Sequence, residues 1–189
     1  MPNGAKGDLN MSRIELQNPE TATGERKEIL SQINAAFGTA PNMFKAIANS
    51  TPALKMMWSA FGALGSGKLG AKLGEQIAVA VADLNRCEYC LAAHTALGKG
   101  AGLSAEVMSH AQSGKSTDPK TQAALTFAVK LVKERANVSA DDVSTLKKAG
   151  YSEEDIAEIL AHVALNIFTN YTNVAFDVPV DFPKVALRS

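Results

Sequence analysis

Helix starts and stops punctuate this chain along most of its length, and no segment between them reads as a strand or hairpin. Ser50 or Thr51 precedes Pro52, Asp118 precedes Pro119, and Ser104, Ser139 and Ser152 each stand before a run with helical spacing. A Ser, Thr or Asp oxygen at that position accepts a first-turn N–H, and proline fits there because it lacks the donor that would be left over. Ser139 with Asp142 three residues on forms a variant of the capping box, and three acids follow Ser152, as a helix N-terminus favours. Gly38, Gly65, Gly67, Gly100 and Gly150 supply the stops. Inside the segments apolar residues recur at helical spacing, as with Ile29, Leu30, Ile33, Ala36 and Phe37, or Leu73, Ile77, Val81 and Leu84. The run "SEEDIAEILAHVALNIFTNYTNVAF" is the longest apolar helix and is expected at the centre, while the tail "DVPVDFPKVALRS", with Pro179 and Pro183, is expected to be extended. The spacing predicts an all-α fold of about eight helices. It forms one domain over residues 16–189 behind a flexible N-terminal extension, 1–15, in which Met11 offers an alternative start.

Composition narrows the function classes. Lys and Arg number 19, as do Asp and Glu, so there is no electrostatic case for a nucleic-acid partner. No apolar run reaches the roughly 20 residues of a membrane span, and the first residues lack the apolar core of a secretory signal. The expected compartment is the cytoplasm, where a pair of cysteines is redox-active or metal-binding more often than a structural staple.

That pair is Cys87 and Cys90, the only cysteines of the chain, in "NRCEYCLAAHTALGKG" with His94 four residues further on. On a helix the three side chains fall within about 60° of one another, and Cys90 and His94 are one turn apart. A thiolate is the nucleophile of thiol chemistry and an adjacent imidazole is its natural base. Two thiols three apart can close a disulfide with little movement. A dithiol that cycles to a disulfide is therefore the first reading. Buried structural cysteines are a second, and a zinc site a third, although no second C-x-x-C or His pair would complete it. A thioredoxin-like domain would need a βαβ context that is not visible. Glu75, at the start of the otherwise apolar "GEQIAVAVADL", is either a solvated helix-start carboxylate or, pointing inward, the group that holds and polarises His94.

The spacing Glu75-x11-Cys87-x-x-Cys90-x-x-x-His94 resembles the AhpD-like alkylhydroperoxidases of the carboxymuconolactone decarboxylase superfamily. The flanks "NMFKAIANSTPAL" and "NIFTNYTNVAFDVPVDFP" are similar to its peroxidase-related branch. The resemblance implies an all-helical protein that assembles into homo-oligomers, trimers or hexamers. It implies reduction of organic hydroperoxides by a Cys87–Cys90 dithiol/disulfide cycle, without metal or other cofactor. Cys90 would attack the peroxide, Cys87 would resolve the sulfenic acid, and Glu75 with His94 would form the proton relay. The reductant would be a dithiol, possibly on a lipoyl protein. Helix-dipole reasoning favours Cys87, not Cys90, as the more acidic thiol, so the two arguments assign the nucleophile differently. Tyr89 departs from the family pattern, which often has a histidine there, so a relay through that extra imidazole is absent. The decarboxylase branch usually lacks the cysteine pair, which argues against decarboxylation. The alternative to an enzyme is a non-enzymatic dithiol redox sensor or interaction protein.

Other residues have blander expectations. His110 is expected to cap a helix end, and His162 to be a satisfied core or interface histidine. Trp58, Phe61 and Phe168 are expected in the core. Asn166, Asn170 and Asn173, polar for a central helix, are expected either to cap the redox helix or to bridge subunits.

Overall fold

The computed structural model describes residues 12–188. Among these, nine helices and no strand are present: α1 (Gly24–Phe37), α2 (Asn42–Ile47), α3 (Thr51–Gly65), α4 (Gly70–Leu84), α5 (Glu88–Gly100), α6 (Ala105–Gln112), α7 (Pro119–Lys133), α8 (Ala140–Lys148) and α9 (Glu153–Phe176). The caps form where the sequence places them. Ser50, Ser104, Asp118, Ser139 and Ser152 each accept a backbone N–H of the first turn, the last two in full capping boxes. The six-residue α2 follows Pro41 as a helix of its own, and the total is nine where about eight were expected.

Two helices share the centre. α9 packs against α2, α3, α4, α5, α7 and α8, and α4 against α5, α6, α7 and α9. The stretch Ile77–Ala82 of α4 is buried on every side, the reason its sequence is apolar all round rather than striped. Its Ile77, Val79 and Val81 side chains contribute about 1.5–3 kcal/mol each by burial. Two glycines let the helices close on this axis. A Cβ on Gly74 would stand 3.1 Å from His162 Cε1 of α9, and one on Gly98 of α5 would stand 2.6 Å from Met108 of α6.

Both chain ends fold back on the helices. Residues 12–15, assigned above to the extension, are tied to the end of α9: the Arg13 N–H and the Ser12 hydroxyl both donate to the Phe176 carbonyl. The expectations for Met11 and the residues before it lie outside the described residues. The extended tail is strapped down by Asn42 N–H donating to Asp181 Oδ2 (2.8 Å), Gln112 to the Ala186 carbonyl (3.0 Å) and Arg188 N–H to Asp83 (3.0 Å). Among the described residues no helix is long and apolar enough to cross a membrane.

Candidate active site

α4 and α5 form an antiparallel hairpin whose turn is set by two backbone hydrogen bonds and one left-handed residue. Arg86 N–H donates to the Asp83 carbonyl and Cys87 N–H to that of Ala82 (2.9 Å), while Arg86 takes a left-handed φ of 57°. This is a Schellman stop with arginine where glycine is usual, so the backbone is held in a costly conformation that delivers the chain directly into the next helix. Cys87 is the N-cap of α5, its sulfur accepting the Cys90 N–H at 3.3 Å. At 1.5 Å per residue, Glu75 lies about 15 Å from the turn along α4 and His94 about 10 Å along α5. They face each other across the hairpin.

The structure brings all four of these residues together. His94 Nδ1 lies 2.8 Å from Glu75 Oε2, with both side chains largely buried, so Glu75 is not the solvated carboxylate of the bland reading. Burial opposes a charge on His94, but the Glu75 carboxylate and the Cys90 thiolate outweigh it and raise its pKa above the ordinary imidazole value. Nδ1 is held by the carboxylate, which leaves Nε2 as the nitrogen for chemistry.

Cys90 is the acidic thiol. Burial alone would raise its pKa. The Cys87 thiol donating to it, the charge of His94 and the amides of Asn173 and Asn170 together bring it down to about 6. Cys87 moves the other way, because it serves as hydrogen-bond donor to Cys90 and is itself buried. The dipole argument from sequence is thereby corrected: both thiols sit in the first turn of α5, and the side chains around Cys90 decide which one ionises.

Those side chains come from α9. Asn173 Nδ2 lies 3.2 Å from Cys90 Sγ, and Thr169 Oγ1 3.9 Å from it. Asn170 Oδ1 also accepts from Asn85 beside the hairpin turn (2.9 Å), and Asn166 donates to the His162 carbonyl. The asparagines thus neither cap α5 nor point outward as bridging groups. Asn170 and Asn173, with Thr169, form a buried polar face against Cys90. Sequence reasoning missed Thr169 altogether and gave Asn173 the wrong task. The one available signal was the string "TNYTN" itself, polar in a buried helix.

Tyr89 is buried and T-shaped against Phe182 at 5.7 Å, and its hydroxyl accepts the Met43 N–H (3.2 Å). Burial and the nearby Asp181 raise its pKa, so it serves as a neutral wall. That wall belongs to a small apolar cavity of about 30 Å3 onto which Cys90 and His94 open, closed by Phe44, Phe61, Leu97 and Phe182. Phe61 is thus a pocket residue as well as a core one. Phe168 lines an apolar groove between α3 and α9, and Trp58 packs edge-on against Phe44. Cys87 lines a polar cleft of about 490 Å3 whose walls include Tyr89 and Asn173 but not Cys90.

The two remaining histidines depart from expectation. At the end of α6 it is the His110 carbonyl, not its ring, that takes the Ser113 hydroxyl and N–H. Within this chain His162 is not a satisfied core histidine: among the described residues its Nε2 is buried without a partner, and burial lowers its pKa. Among the described residues no group of three or more His, Cys, Asp or Glu side chains is arranged to hold a metal ion.

Comparison with known proteins follows this geometry. Residues 52–134 match the carboxymuconolactone decarboxylase family, a stretch that contains Glu75, Cys87, Cys90 and His94. No curated protein matches the chain in sequence. Among solved structures, an uncharacterized peroxidase-related protein from Silicibacter sp. TM1040 is 22% identical with a TM-score of 0.80, covering 97% of this chain and 96% of that one. An AhpD-core, peroxidase-related protein from Ralstonia eutropha JMP134 is 23% identical with a TM-score of 0.80, covering 90% and 93%. The debrominase Bmp8, in a complex with 2,3,4-tribromopyrrole, is 20% identical with a TM-score of 0.75, covering 92% and 93%. At these identities the structures share the fold.

Proposed function

We propose that this chain, whose residues 52–134 match the carboxymuconolactone decarboxylase family, is a thiol-dependent peroxidase that reduces organic hydroperoxides. The observation that carries this reading is the environment of Cys90: a buried thiol held as thiolate by Asn173, Cys87 and the His94–Glu75 pair, facing an apolar cavity.

The steps follow from those atoms. Cys90 thiolate attacks the terminal oxygen of R–O–O–H, an S–O bond forms, and the O–O bond breaks. The leaving alkoxide takes the proton of the His94 imidazolium and departs as the alcohol, while Glu75 holds the ring in place. The Cys87 thiol then attacks the Cys90 sulfenic acid, closing the Cys87–Cys90 disulfide and releasing water with the thiol proton. A dithiol reductant returns the pair to its starting state. In this conformation the cavity has room for about one water-sized group, so an apolar R group requires the wall at Leu97, 37% exposed, to give way. Assembly into a homo-oligomer is part of the same proposal, supported by the apolar α3–α9 groove and by the exposed Met56 and Leu160.

The test is stopped-flow oxidation of the reduced protein by tert-butyl hydroperoxide, with thiols counted before and after. Rapid loss of both thiols, absent in Cys90→Ser, supports a dithiol peroxidase. Slow loss coupled to a change in oligomer size supports the sensor instead. A second reading, reductive removal of a halogen from an aromatic ring, is favoured by the aromatic walls, where Phe44 meets Phe61 at 5.8 Å. Bromide release from a brominated pyrrole, without alcohol formation from peroxide, would select it.

A further inference from the structure

The two cysteines, three residues apart and both nearly buried, line different openings. Cys90 lines the apolar cavity and Cys87 does not. Cys87 lines the larger cleft and Cys90 does not. The cleft, at about 490 Å3, is of a size that takes small molecules, and its walls are charged. Arg13, Arg86 and Lys184 face Glu88 and Asp177 across it. Arg13 is engaged with Asp177 at 3.7 Å and with the carbonyls of Val174 and Ala175. Arg86 is steadied by a hydrogen bond from Nη1 to the Arg188 carbonyl (2.8 Å). Lys184, on the strapped tail, is exposed. With the Arg13–Asp177 pair self-neutralised, Arg86 and Lys184 outweigh Glu88, and the cleft that Cys87 lines carries a net positive charge.

We propose that this cleft is the reductant site and that it takes a small thiol bearing a carboxylate, which Arg86 and Lys184 hold while its sulfur reaches Cys87. The proposal rests on the dithiol cycle of the proposed function. In the first step the reductant thiolate attacks Cys87 Sγ of the disulfide, an S–S bond forms between them, and the Cys87–Cys90 bond breaks. Cys90 leaves as thiolate, the departing group that Asn173, Thr169 and His94 surround. Attack on this sulfur is the faster choice because the more acidic thiol leaves faster. In the second step another reductant thiolate, or the second thiol of a dithiol, attacks the reductant's own sulfur in the mixed disulfide. Cys87 is freed and takes a proton, and the reductant leaves oxidised by two electrons.

Dihydrolipoate and dihydrolipoamide test this cleanly, since they share one dithiol head and differ only in the charge at the far end. The disulfide is first made with diamide, so the test does not depend on whether peroxide is the natural oxidant. A single close charge contact in water is worth about five-fold, and Glu88 offsets part of it. At low ionic strength dihydrolipoate is therefore expected to reduce the oxidised protein about three-fold or more faster than dihydrolipoamide. The preference, read as the ratio of the two rates within each protein, should fade in high salt and be lost or reversed in Lys184→Glu and Arg86→Gln/Lys184→Gln. Equal rates for the two reductants would overturn the proposal, as would a preference unchanged by the charge variants. A faster reaction with the neutral amide would overturn it in favour of a protein-borne lipoyl arm. Failure of hydroperoxide to oxidise the reduced protein would instead sink the peroxidase reading and leave this result standing.

Discussion

Replacing Asn173 by alanine isolates the feature that distinguishes one thiol from the other. The amide donates to Cys90 Sγ at 3.2 Å inside the protein. A hydrogen bond to a charged group is worth about 1.5–3 kcal/mol, and one pKa unit is about 1.4 kcal/mol. Losing the donor should therefore raise the Cys90 pKa from about 6 by about one to two units. The backbone is spared, because the Asn173 carbonyl still accepts the Val178 N–H, and alanine suits a helix. Deleting the side chain also removes an Oδ1 that is buried without a partner.

The expected signature is a pair of crossing pH profiles, not a uniform loss. A less acidic thiol gives a more nucleophilic thiolate, with a Brønsted coefficient of about 0.4–0.5, so each unit of pKa returns about three-fold in intrinsic reactivity. In alkaline buffer, where both proteins are ionised, the variant should be as fast as the unaltered protein or faster. At neutral pH the two effects nearly cancel. One unit below the unaltered midpoint the thiolate fraction dominates, and the variant should be about three- to ten-fold slower. Stopped-flow oxidation by tert-butyl hydroperoxide across this range measures both limbs. The same midpoint with an equal loss at every pH would refute the reasoning and mark Asn173 as structural only.

Three other outcomes follow from the same site and its frame. Glu75→Gln removes the charge that keeps His94 protonated against burial, so peroxide oxidation should slow by about 100-fold or more, with a melting temperature close to that of the unaltered protein. Cys87→Ser should consume one equivalent of peroxide and stop at a Cys90 sulfenic acid, trapped by dimedone and read by mass; disulfide-linked dimers in its place would contradict the resolving role. Ser152→Ala breaks the capping box of α9 and should cost about 1 kcal/mol, or about 2–4 °C in Tm for a chain of this size, without moving the pH profile.

What was legible in the sequence is what local spacing controls. The caps at Ser104, Asp118, Ser139 and Ser152 mark helices because each bond lies within three residues. Cys87, Cys90 and His94 share a helix face by periodicity alone. Glu75 was legible only through the family resemblance, since spacing left it either a solvated carboxylate or the partner of His94; the helical hairpin is what joins the two. Thr169 and Asn173 were out of reach of such arguments. They stand 79 and 83 residues from Cys90, and their meeting depends on how α9 rotates about its own axis. The same rotation leaves His162 against Gly74 without a partner for Nε2. It was just as inaccessible that the tail would bring Phe182 onto Tyr89 and complete the apolar cavity.

The division between the thiols has a chemical consequence. By spacing alone Cys87 and Cys90 are near equivalents, both in the first turn of one helix. α9 makes them unequal by giving Cys90 its amide and hydroxyl neighbours. In the proposed cycle the sulfur that attacks peroxide must be reactive as nucleophile and easily expelled as leaving group. One low-pKa thiolate meets both needs, since the interactions that ionise Cys90 for attack would also ease its departure when a reductant attacks Cys87 of the disulfide.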